Sequence, residues 1–102
     1  MNEQYQPDWE SPEVLGLHIG ACAAMGEYKA ISLHSDLGMP PSKYVSKRMG
    51  EISEMLLESL FKNCGRNEQV FKFQLEAIVG AAAKDMKFKF EMPDKPKQIQ
   101  IH

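Results

Sequence analysis

His18 and Cys22 stand four residues apart, a spacing that puts an imidazole and a thiol on one face of a helix. Such a pair could offer two ligands to zinc, and Cys64 with His34 or His102 would have to complete the tetrahedron. No Cys-x-x-Cys or His-x-x-x-His spacing accompanies it, and Val14, Leu15 and Met25 surround His18 as they would a half-buried core histidine. No metal site and no cofactor are therefore expected. Nucleophilic chemistry at Cys22 or Cys64 is poorly served too. Cys64 falls near a helix C-terminus, where the backbone dipole opposes a thiolate. The chain lacks a glycine-rich phosphate loop, a Gly-x-Ser-x-Gly turn and a His-Glu-x-x-His pair. An enzyme is the least favoured class.

Two other groups of residues could recognise a macromolecule. The stretch from Leu33 to Met49 resembles a helix-turn-helix DNA-binding unit, with Leu37-Gly38-Met39 as its turn and residues 42–48 as its recognition helix. The resemblance implies that Ser42, Lys43, Tyr44, Ser46, Lys47 and Arg48 would face DNA. The second group is acidic and aromatic. Tyr5 and Trp9 lie in the acidic N-terminal segment, residues 1–10, and aromatics amid charge make good binding anchors. Glu51, Glu54 and Glu58 share the outer face of a helix with Lys43, Lys47 and Lys62. Phe73 points away from its helix's core stripe, onto a strip of small residues with Ala77 and Gly80. It is expected either to meet another subunit or partner, or to pack on the segment around Trp9.

Three helices must position these groups. Ser11-Pro12-Glu13 opens the first, as cap, first-turn proline and dipole-matching carboxylate, and it should run to about His34. Its apolar residues Val14, Leu15, His18, Ile19, Cys22 and Met25 form one broad side, widened by Leu17, Ala21, Ala24 and Tyr28. Gly16 and Gly20 on the opposite strip each cost about 1 kcal/mol against alanine, which points to the close approach of another backbone. That helix is the centre of the fold or half of a subunit interface. The second starts after Pro40-Pro41 and stops near Asn63-Cys64-Gly65, with Val45, Met49, Ile52, Leu56 and Leu60 as its core stripe. Asn67 caps a third through about Asp85, lined by Phe71, Leu75, Ile78, Val79 and Ala82. From Met86 the period becomes alternating, and with Pro93-Asp94-Lys95-Pro96 as a turn it predicts a small C-terminal β-hairpin or extended strand over residues 86–102. In Lys87-Phe88-Lys89-Phe90 the aromatics would then be core and the lysines edge charges.

Composition sets the frame. The 102 residues are 43% hydrophobic and 25% charged, enough for one domain of ordinary globular type spanning residues 1–102. The net charge of −2 argues against a generally basic nucleic-acid binder. It conceals blocks: residues 1–27 hold five carboxylates and no Lys or Arg, 28–50 are basic, 51–60 acidic and 61–102 basic. No apolar run is long enough for a membrane span, no secretory signal is visible, and two cysteines are too few for a disulfide framework. The expectation is a mainly α, cytoplasmic, three-helix protein without enzyme activity. It binds another protein in the manner of an adaptor or inhibitor, and self-associates through the first helix or the third helix and C-terminal strand. The alternative is a DNA-binding regulator using residues 42–48.

Overall fold

A computed structural model describes residues 5–89 of the chain. They form three helices, α1 (Pro12–Ser32), α2 (Pro41–Asn63) and α3 (Glu68–Asp85). Local chemistry sets most of their ends. The Ser11 hydroxyl accepts from the Glu13 amide at 3.2 Å, and Pro12 fills a first-turn position that has no amide to satisfy. The Asn67 side chain accepts from the amides of Gln69 and Val70 at 3.0 and 3.1 Å. At the end of α2, Gly65 takes φ +68, its amide bonds to the Lys62 carbonyl at 3.0 Å, and the Arg66 amide reaches the Phe61 carbonyl at 3.0 Å. That is the Schellman closure, for which glycine is the natural residue.

The end of α3 uses the same closure with a lysine in the glycine position. Lys87 has φ 52, its amide bonds to the Lys84 carbonyl at 3.1 Å, and the Phe88 amide bonds to the Ala83 carbonyl at 2.8 Å. The alternation that begins at Met86 thus does not start a strand there, because Met86 caps the helix. Phe88 is nevertheless buried as expected, edge-on to Tyr28 with ring centroids 5.8 Å apart, while Lys87 and Lys89 are exposed. The remainder of the expected hairpin lies outside the described residues.

α1 is the central element. Val14, Leu17, Ala21, Ala24 and Met25 pack with Val45, Met49 and Leu60 of α2 and with Ile78, Ala82 and Ala83 of α3. α2 and α3 touch each other far less than either touches α1. The glycine expectation is met within the chain. A Cβ on Gly16 would stand 2.6 Å from Cδ1 of Leu56, and one on Gly20 would stand 3.1 Å from Oγ of Ser53. Three apolar positions expected on buried faces are exposed instead. Ile52 is half exposed and Ser53 is buried in its place, because the helix breaks its regular geometry at Ser53 (φ −126, ψ 31) where it crosses Gly20. On α1, Leu15 and Ile19 are exposed, since α2 and α3 together cover only the side centred on Leu17, Ala21 and Ala24.

Candidate partner-binding surfaces

α1 and α2 run antiparallel along their whole length. Gly16 lies against Leu56, Gly20 against Ser53, Glu27 meets Arg48 and Tyr28 meets Tyr44. The eight residues 33–40 connect them. A helix-turn-helix instead crosses two helices at roughly 90–120° through a turn of three or four residues. The six residues of the proposed recognition helix are also divided. Ser42 is buried at the start of α2. Tyr44 is half-buried, its ring centroid 5.4 Å from that of Tyr28. Burial of that phenol, with the Glu27 carboxylate beside it, holds its pKa above the ordinary tyrosine value. Arg48 donates to Glu27 at 2.8 Å and also to Glu51, and these two carboxylates hold its guanidinium protonated. Lys43, Ser46 and Lys47 remain exposed. The cation at the centre of the basic block is therefore shared by two acids, one of them supplied by α1.

The acidic and aromatic residues sort into two places. Tyr5 sits edge-on to Phe73, centroids 5.0 Å apart and planes at 87°, so this tyrosine lies against α3 and partly covers that phenylalanine. Trp9 faces the ring of His18 at 6.3 Å, and His18 Nε2 pairs with Asp85 Oδ2 at 2.9 Å. Among the described residues no three His, Cys, Asp or Glu side chains converge to hold a metal ion. Burial pushes both thiols above the ordinary cysteine value, Cys22 further under the influence of Asp85.

Glu54 and Glu58 behave differently from Glu51, which is drawn to Arg48. They form the rim of a groove of about 540 Å³ whose remaining walls are Met55, Leu57, Phe61 and Phe71. Its physical origin is the divergence of α2 from α3. The two helices are bridged by the Phe61–Phe71 ring pair, edge-to-face at 5.4 Å, an arrangement worth about 0.5–1.5 kcal/mol beyond area burial. Arg66 lies beside two of its lining residues, 5.7 Å from the Phe61 ring centre and 3.4 Å from Glu58. Met55, at 81% exposure, stands at the lip. The sequence reading placed Glu54 and Glu58 on an outer face but passed over Phe61, Leu57 and Met55. An aromatic three residues after Glu58, among charged neighbours, was the available signal. A wider hollow of about 940 Å³ lies between residues 37–41 and the end of α3, with Lys89 the one charged residue among the described residues that line it. No described helix is long and apolar enough to cross a membrane. The chain matches no family model, no curated protein and no solved structure.

Proposed function

We propose that the chain is a non-enzymatic module that binds another protein, as an adaptor or inhibitor does, by seating an apolar and basic segment of that partner in the α2–α3 groove. The observation that carries this reading is the pairing of a half-buried apolar floor, Leu57, Phe61 and Phe71, with the exposed carboxylates of Glu54 and Glu58. Aromatic rings in a concave setting supply affinity, and the carboxylates of the rim, Glu54 and the Glu58 that Arg66 shares, select partner charge. An amphipathic helix lying in a groove is the recognition mode that such a shape serves. The probe is a labelled amphipathic peptide of leucine and lysine, titrated by fluorescence anisotropy beside a leucine and glutamate peptide of equal length. The lysine peptide should bind saturably and weaken with added salt, and the Glu54→Lys/Glu58→Lys variant should lose about tenfold or more in affinity. Equal binding of both peptides, or no loss on charge reversal, would overturn the reading.

A further inference from the structure

α1 carries Glu13, Glu27 and Lys29 as its only Asp, Glu, Lys or Arg side chains, and it is apolar around nearly all its circumference. A helix of that kind belongs inside a structure. Here α2 and α3 cover two sides and leave a third bare, on which Leu15 (47% exposed) and Ile19 (66%) stand. The register of the α1–α2 hairpin continues this face onto α2. With Gly16 against Leu56 and Gly20 against Ser53, Ile19 is level with residues 53–54, so Ile52 (51% exposed) and Met55 stand to either side of it along α2. α3 meets α1 along another line, through the His18–Asp85 pair and through its cap residue Met86 beside Gly26 and Lys29, so these four exposed side chains lie outside that contact.

We propose that this α1–α2 face is the two-fold interface of a homodimer, in which two hairpins pack face to face as a four-helix bundle. Area supports a second copy as the occupant. The four side chains expose about 400–500 Å² per copy, at the upper end of what a monomer leaves bare, so a pair with its rim removes about 1,000 Å², the size at which specific interfaces begin. Side-chain size supports it too. A two-fold axis crossing the hairpin at Ile19 sets α1 antiparallel on α1 of the second copy, and Leu15 then lies over the small Ala23 there. The patch itself carries no charge, so its burial leaves no ion stranded. The dimer face is separate from the α2–α3 groove except for Met55, which borders both.

The test is sedimentation equilibrium of the full chain from about 10 μM to 1 mM, a span that detects micromolar association. The expected result is a monomer–dimer equilibrium. Ile19→Glu/Ile52→Glu should be monomeric throughout with an unchanged helical circular dichroism spectrum, since both side chains are already exposed. Leu33→Glu, exposed but off the patch, should still dimerise. A wild type that stays monomeric across the range, or a dimer that survives Ile19→Glu/Ile52→Glu, overturns the proposal. The lysine-peptide titration repeated on Ile19→Glu/Ile52→Glu separates the two ideas, because groove binding should persist there.

Discussion

Replacing Gly16 with alanine sets two effects of known sign against each other. In an open helical position the change gains about 1 kcal/mol, because alanine has the better helix propensity. Gly80, in the middle of α3, is such a position, with nothing within 4 Å of a built Cβ. Gly16 is not, since the same atom would stand 2.6 Å from Cδ1 of Leu56. Relieving that overlap forces Leu56 to another rotamer or moves α2 outward, and overpacking of this kind costs about 1–3 kcal/mol. Gly80→Ala should therefore stabilise by about 1 kcal/mol, while Gly16→Ala should range from neutral to about 2 kcal/mol destabilised. Leu56→Ala removes the obstructing methyl groups. In that background Gly16→Ala should regain the full propensity gain, giving a coupling of about 1–3 kcal/mol between the two positions. Urea unfolding followed by circular dichroism measures all five proteins, and thermal melts should differ by about 4–8 °C per kcal/mol. Protein concentration must be held constant, because self-association would add to apparent stability. If Gly16→Ala stabilised as much as Gly80→Ala, or if the coupling fell below about 0.5 kcal/mol, the close approach of α2 to Gly16 would be refuted.

Other outcomes follow from single features. Lys87 occupies a left-handed position that costs an L-residue about 1–2 kcal/mol, so Lys87→Gly should stabilise by about 0.5–1 kcal/mol in the same unfolding assay, net of the chain entropy that glycine adds. Asn67→Ala should lose about 1 kcal/mol, as it removes the acceptor for two first-turn amides of α3. Because burial raises both thiol pKa values, the thiolate fractions of Cys22 and Cys64 at neutral pH are below that of free cysteine. Iodoacetamide should label the folded chain more slowly than the urea-unfolded chain, with the rate rising only above the ordinary cysteine range. Glu13 is held below the ordinary glutamate value by its hydrogen bond with Ser11, so its contribution is present at neutral pH and is lost as pH falls through its lowered value. Ser11→Ala should accordingly flatten the acid limb of a stability–pH curve. Duplex DNA should show no retention of the chain at low salt that depends on Lys43 and Lys47, which gel shift with Lys43→Ala/Lys47→Ala checks.

The helix boundaries were legible in the sequence because capping is local. Ser11, Pro12, Pro41, Gly65 and Asn67 each act within a few residues of where they stand. What escaped was tertiary. Periodicity puts Ile52 in the core, and the structure buries Ser53 there instead because the crossing at Gly20 admits only a small side chain. Arg48 read as part of a basic block, since its partner Glu27 is 21 residues away on another helix. The groove was hidden for a similar reason. Glu54 and Glu58 could be placed on a surface, but the meeting of Phe61 with Phe71 depends on how far α2 and α3 diverge. Leu15 and Ile19 were assigned to a wide apolar side without a means of deciding which part of it would be covered.

The placement of α1 between two helices that scarcely meet governs how the molecule comes apart. α2 and α3 are thermodynamically coupled almost solely through α1, so a perturbation on the Gly16–Leu56 contact and one on the Ala82 side should add with little cross-talk. α3 can release as a unit while the α1–α2 hairpin persists, whereas no state without α1 retains either neighbour. Hydrogen exchange should then show two tiers, with amides of α3 exchanging through a smaller opening than those at the centre of α1. Both Phe71 and the Tyr5 platform on Phe73 leave with α3, so the floor of the groove is assembled or dismantled by the less secure of the two dockings.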